Sequence, residues 1–351
     1  MNQLKLKVKR LKIGAKIGVI SPSWSGPAKF PIVYEKGISN LKQYFSFSIK
    51  EYPHTRSEFV NDRSYIQARV SDIEKAFLDQ EIDAIFITIG GEDSIRLLPY
   101  LNRDIIVNNP KIIMGFSDST ALLIYFSKLG IPTFHGPSVM AGFAEPDGLP
   151  KEFINHFESF FFDKWDTYEY KNYSKWTEDR SGWTDPKFLS RKKQYIDNAG
   201  PKIILQEKTE GYLLGGCIEI IEMLKGTPYG ISSEDWNDAL FFFETSEEKP
   251  SANYIKYALR SFGVAGAWNS IGGLLIGKSK GYTMAEYNQL ETFTKEVLMV
   301  EFDSKSRGII SNLDIGHTQP MHILPLGCKA KFDFDKNVLI LLESPFKKND
   351  Y

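Results

Sequence analysis

In Lys111-Ile-Ile-Met-Gly-Phe-Ser-Asp-Ser-Thr120, a short apolar run meets a glycine and a serine, then passes into the apolar-periodic stretch 121–129. The pattern predicts a buried strand that turns sharply into a helix, with Ser117 at the apex, where many hydrolases present a nucleophile. A serine hydroxyl is a poor nucleophile near neutral pH and needs a base within hydrogen-bond reach, itself held by a third group. With five histidines in the chain, the base can be sought by elimination. His156 lies in the periodic stretch 151–162 and reads as a helix-face residue. His54, in a polar segment, reads as exposed, while His135 and His322 sit in apolar contexts that suit satisfied structural histidines. His317 differs, because Asp314-Ile-Gly-His-Thr-Gln-Pro320 is a glycine- and proline-bounded turn of the kind that carries a side chain into a cleft.

For the third group, Glu244 follows Leu240-Phe-Phe-Phe243, a run apolar enough for a fully buried strand. A carboxylate there is either partnered, since an unpaired buried charge is costly, or marks the strand's end and points to solvent. Two sources of N–H groups for a developing oxyanion are visible: the amide of Asp118, after the nucleophile, and the turn Ile89-Gly-Gly-Glu-Asp93, where glycine lets backbone approach a substrate closely. The same turn would also serve as a plain strand-to-helix connection.

The elements that must position these groups fall into two patterns. From residue 15, short apolar runs alternate with helical ones (17–20 then 32–44; 84–89 then 94–101; 112–114 then 120–129), which predicts a parallel sheet covered on both faces. The alternation stops near Pro137. Residues 145–200 are aromatic and charged, with Trp165, Trp176 and Trp183, and read as a linker or binding loop. From Ile203 a strand-rich pattern follows: 212–216, a helix at 218–224, strands at 239–243, 271–276, 308–312 and 338–342. The expected division is 1–140, 141–202 and 203–351, and 351 residues fit about two domains at ~150 residues each.

Composition narrows the function classes. A net charge of −1 offers no basic field for a nucleic acid polymer or an anionic membrane, although the first ten residues hold four lysines or arginines. No secretory h-region and no run of about 18 apolar residues is present, so a soluble cytoplasmic protein is expected. Cys217 and Cys328 are far apart and without CxxC spacing, which predicts two reduced thiols, no structural zinc and no metal or other cofactor.

With these residues in view, the chain resembles the LD-carboxypeptidase and microcin C immunity family of serine peptidases. The similarity runs from about residue 16 to about 342, through Ile89-Gly-Gly91 with Leu97-Leu-Pro-Tyr-Leu101, Gly115-Phe-Ser-Asp118, Phe134-His-Gly-Pro137, Leu214-Gly-Gly216, Phe243-Glu-Thr245 and Gly316-His-Thr318. The resemblance implies Ser117 as nucleophile, His317 as general base and then acid, and Glu244 as the residue that fixes the His317 tautomer. It implies an oxyanion hole from the amides of Asp118 and Gly91, with Gly90 beside the substrate. The implied fold is α/β: a flavodoxin-like parallel α/β N-terminal domain and a smaller β-rich α/β C-terminal domain, with the catalytic groups split between them and a homodimer as the assembly.

The segment from Trp176 to Trp183 looks like the tryptophan-bearing loop of the immunity-type branch, where a ring lies against the nucleotide base. The alternative is a loop whose tryptophans pin it to the body. One position departs from the family pattern: Cys217 stands where an asparagine commonly follows Gly-Gly, and a thiol cannot replace an amide's paired donor and acceptor. The implied activity is hydrolysis of an amide-type bond in a peptidyl- or aminoacyl-nucleotide, giving detoxification or self-immunity. A second expectation uses the same residues on murein tetrapeptides to release a terminal D-residue. An α/β-hydrolase esterase ranks lower, because Ser119 replaces the second glycine of GxSxG. A non-catalytic two-domain binding protein would behave alike with or without Ser117.

Overall fold

The computed structural model describes residues 6–348 apart from 59, 61, 180, 181, 186 and 305. Its first sheet draws on β1 (Lys16–Ile20), β2 (Ser48–Glu51), β3 (Ala84–Ile87), β4 (Ile112–Gly115) and β5 (Thr133–His135). All residues of β3, β4 and β5 are buried, as unbroken apolar runs must be when helices cover both faces of a parallel sheet. The parallel order β2-β1-β3-β4-β5 is the flavodoxin-like arrangement.

In the connector, β6 (Tyr168–Glu169) precedes the two-stranded pair of β7 (Lys175–Trp176) and β8 (Ile196–Asp197). The rest of the chain supplies β9 (Lys202–Leu205), β10 (Glu210–Cys217), β11 (Ala239–Glu244), β12 (Gly273–Gly277), β13 (Ile309–Leu313), β14 (Leu324–Leu326), β15 (Lys329–Asp333) and β16 (Val338–Leu341). The second sheet has eight strands in the order β6-β16-β15-β10-β11-β12-β13-β9, with a parallel centre from β10 to β13 and antiparallel flanks. The fold is α/β in two parts, as the sequence predicted.

Two strands tie the parts together. β14 lies beyond the His317 turn in the chain yet pairs antiparallel with β5 as the outer strand of the first sheet, and β6 leaves the connector to join the second. Where the parts meet, a methyl group on Gly216 would lie 2.5 Å from Thr120 Cγ2, and the Cys217 amide donates to Thr120 Oγ1 at 3.1 Å. Glycine at 216, at φ +146°, lets the end of β10 press on the helix Thr120–Lys128.

The described part of the 145–200 segment carries more regular structure than a linker or binding loop. It opens with the helix Lys151–Phe161, whose inner face buries Phe153, His156, Phe157, Phe160 and Phe161.

Candidate active site

Ser117 holds φ +60°, left-handed backbone that a side-chain-bearing residue rarely adopts. The strain arises from the fold: β4 ends at Gly115, a 3₁₀ turn spans Ser117–Ser119, and the helix begins at Thr120. The turn is cramped. A methyl group at Gly90 would lie 2.8 Å from Ser117 Cβ and 2.9 Å from its Oγ, so only glycine fits beside the hydroxyl. The Gly90 carbonyl accepts from the Trp24 amide at 3.1 Å, and the planar trans peptide therefore turns the Gly91 N–H away from Trp24. Gly91 sits at φ +142° with Ser23 and Trp24 against it.

Glu244 closes β11, all six residues of which are buried. The solvent-pointing alternative for this carboxylate is excluded, because its Oε2 lies 2.6 Å from His317 Nδ1 and both side chains are almost wholly buried. A carboxylate only accepts, so Nδ1 is assigned the proton and donates. The pair fits because glycine is at 316: a methyl group there would lie 2.3 Å from Glu244 Oε2. Phe116 packs edge-on against the imidazole with ring centroids 4.9 Å apart, which sets His317 beside the Ser117 turn.

Ser117 and His317 line one cleft, together with Gly90, Gly91, Trp183 and Cys217. Its floor is the C-terminal ends of β1, β3 and β4, where ligands bind in open parallel sheets. That rule also points to Trp24, in the turn after β1, which the sequence reading passed over. Trp24 stacks on Trp183 with centroids 6.5 Å apart and planes 10° apart, and Phe30 meets both rings edge-on or tilted. Glu219 and Glu247 were missed too; both line the cleft, and neither lies in a local pattern that marks it.

The remaining expected residues are distributed as follows. Trp176 is absent from the cleft lining, and its ring sits 5.6 Å from Lys278 Nζ, so the structure separates the two tryptophans. Arg180 and Ser181 between them lie outside the described residues. Cys217 is buried, and its Sγ donates to Glu219 Oε2 at 3.3 Å; burial and the nearby Glu244 and Glu219 raise the thiol well above its usual range. Asp118 is fully buried and accepts from the Ser94 amide at 2.9 Å, and burial raises its carboxyl.

Of the other histidines, His322 meets the Lys171 carbonyl at 3.0 Å, as a satisfied structural histidine should. His156 is buried between Tyr168 and the Ile323 amide. His54 is half-buried against Asp72 rather than freely exposed. His135 departs from expectation: it is wholly buried, but neither ring nitrogen has a hydrogen-bond partner among the described residues. Burial pushes it down to about 4. Among the described residues no cluster of three or more His, Cys, Asp or Glu could hold a metal ion, and no helix is long and apolar enough to cross a membrane.

Comparison with known proteins decides the family. The LD-carboxypeptidase N-terminal domain matches residues 17–136 and the LD-carboxypeptidase C-terminal domain matches residues 210–332. The chain belongs to the LD-carboxypeptidase family of serine peptidases. Among relatives, the microcin C7 self-immunity protein MccF of Escherichia coli is 28% identical over 333 residues, covering 94% of each chain. A Bacillus subtilis protein named "Probable murein peptide carboxypeptidase" is 24% identical over 339 residues, 96% of this chain and 95% of that one. The solved structure of MccF in complex with glutamyl sulfamoyl guanosine superimposes with a TM-score of 0.85 at 26% identity, covering 97% of this chain and all of the other. Membership makes this LD-carboxypeptidase-family chain a carboxypeptidase-type hydrolase.

Proposed function

We propose that this family member cleaves an amide-type bond in a peptidyl- or aminoacyl-nucleotide through Ser117, His317 and Glu244, and so detoxifies such a compound. The observation that carries the reading is the buried Glu244–His317 pair opening onto the same cleft as a serine in left-handed backbone. Ser117 Oγ attacks the carbonyl carbon as its proton passes to His317 Nε2, while Glu244 keeps Nδ1 protonated and the ring oriented. The amides of Gly91 and Asp118 stabilise the oxyanion, each worth about 3 kcal/mol by analogy with other hydrolases. His317 then gives its proton to the leaving nitrogen as the C–N bond breaks. Water hydrolyses the acyl-serine by the same route in reverse. Trp183, stacked with Trp24 at the cleft, supplies a flat apolar face for a base. The cytoplasm as location and a homodimer as assembly belong to the same proposal.

A second reading, release of a terminal D-residue from murein tetrapeptides, is supported by the murein-named relative of nearly equal length. Both readings are tested by mass spectrometry of products from a peptidyl-nucleotide and a muropeptide. Ser117→Ala should abolish turnover of whichever is cleaved and leave the melting temperature unchanged. Trp183→Ala should lower kcat/KM for the nucleotide about tenfold, since base–ring stacking is worth about 1–3 kcal/mol. Turnover by Ser117→Ala would sink the mechanism; nucleotide kinetics indifferent to Trp183→Ala would leave the murein reading.

A further inference from the structure

The oxyanion hole of the proposed mechanism draws its two amides from different turns, Gly91 from the turn after β3 and Asp118 from the turn after β4. Such a hole works only if both N–H groups stay about 3 Å from the place where the oxyanion forms. β3 and β4 are paired only as far as Phe86 and Met114, so side chains must tie the turns beyond them. The turn after β3 runs into a short 3₁₀ helix, Ser94–Tyr100, whose leading amides need acceptors. Its N-cap residue, Asp93, makes no side-chain capping bond, and the acceptors come from the neighbouring turns instead. The Ser94 amide donates to Asp118 Oδ2 at 2.9 Å, and the Asp93 amide donates to Ser23 Oγ, in the turn after β1, at 3.1 Å. With the Gly90 carbonyl accepting from the Trp24 amide, the segment 90–94 is gripped from both sides.

A carboxyl group is costly at position 118. It is fully buried one residue from the nucleophile, and a negative charge there opposes the charge that gathers on the oxyanion. Burial pushes the carboxyl up, with Ser23 and Ser94 opposing the shift, and the buried Arg69 guanidinium feels the charge of both Asp118 and Asp93. An alanine would avoid the cost but would leave the Ser94 amide without its acceptor. The side chain therefore has a task that its own backbone amide cannot perform.

We infer that the Asp118 side chain is a positioning group for the oxyanion hole: by accepting from the Ser94 amide it sets the distance between the Gly91 N–H and its own, with Ser23 as the matching tie from β1. The inference rests on the serine peptidase reading. The ties matter most in the tetrahedral state, where the oxyanion draws on both amides, and little in ground-state binding. Phenylboronic acid probes that state directly. Ser117 Oγ bonds to the trigonal boron as its proton passes to His317, and the tetrahedral anion carries an oxygen toward the two amides.

The test measures phenylboronic acid affinity by calorimetry, turnover of whichever of the peptidyl-nucleotide and the muropeptide the parent cleaves by mass spectrometry, and the fold by urea unfolding. Asp118→Ala should lower kcat and boronate affinity together about 100-fold, with KM within about threefold of the parent. Asp118→Asn keeps an acceptor oxygen for the Ser94 amide and should recover both to within about tenfold of the parent. Ser23→Ala spares Asp118 and should lower both about tenfold; it carries the test if Asp118→Ala fails to fold. Parental kcat and boronate affinity in the folded variant would overturn the inference and leave the peptidase reading standing. A change in KM alone, or an Asn variant no better than Ala, would overturn it as well. Boronate binding that depends on Ser117 keeps the test in force even where neither substrate is cleaved. A parent that cleaves neither substrate and holds phenylboronic acid no better than Ser117→Ala would sink the peptidase reading and the inference with it.

Discussion

At the scale of single residues, Gly90 decides how much room the proposed nucleophile, Ser117, has. Its backbone needs no left-handed angle, so the demand for glycine comes from space alone: any Cβ there falls within 3 Å of Ser117 Cβ and Oγ. Neither neighbour can yield easily, because Ser117 is pinned in strained backbone and the Gly90 carbonyl is held by the Trp24 amide. Gly90→Ala should therefore displace the hydroxyl from its place in the cleft that it shares with His317. The expected outcome is a fall in kcat of about 100-fold, the scale of a 1 Å misplacement, with a loss of about 1–3 kcal/mol in stability from overpacking. Single-turnover kinetics and urea unfolding would check the two effects separately, and a variant with parental kcat would show that the hydroxyl has another place to sit.

At the scale of elements, the turn after β13 is what carries His317 across to Ser117, and it is braced from both sides. Asp314 is buried and ion-paired with Lys278, and it also accepts from Asn198 Nδ2 at 3.0 and 3.1 Å. Its carbonyl accepts from the His322 amide at 2.7 Å, and Gln319 exchanges backbone hydrogen bonds with Thr177 at 2.7 and 2.8 Å. Lys278→Met would strand a buried carboxylate and should cost about 3–5 kcal/mol, while adding Asp314→Leu should restore most of it. A urea-unfolding double-mutant cycle measures this, and additive losses would mean the pair is not coupled.

The sequence made the strand, glycine and histidine of this turn legible because each carries a local signal. The helix Ile218–Leu224 and strand β11 were readable for the same reason. Other elements were written just as plainly and passed over: the helix Arg63–Leu78 begins with an Asp62 N-cap accepting from the Tyr65 amide, and the helix Ala252–Val264 begins with a Ser251 cap. What local pattern could not give was β14 joining the first sheet, the Thr177–Gln319 bridge, or Glu247 reaching Nε2 of His317. Each depends on a partner distant in the chain or on how a side chain happens to lie.

At the scale of the whole molecule, the two parts share a buried seam, and His135 sits in it. It belongs to β5, opposite Leu324 of β14, with its ring 5.3 Å from that of Phe242 in the second part and 6.3 Å from that of Phe116. Burial lowers its pKa from 6.5 to about 4, the Glu244 charge raising it and His317 lowering it further. Above pH 6.5 the ring is neutral whether the chain is folded or not, and it contributes no pH dependence. As pH falls below 6.5 the unfolded chain takes up a proton that the folded one refuses, so stability drops until about pH 4, where both forms are charged. The span corresponds to about 3 kcal/mol for this residue. His156 and His322 are also lowered by burial and act with the same sign. Urea unfolding between pH 7.5 and 4.5 should therefore show a steep loss of stability, and His135→Leu should flatten the slope without removing it. A slope identical in parent and variant would mean that the seam opens enough to hydrate the ring, and the docking that assembles Ser117 with His317 would then be looser than this packing implies.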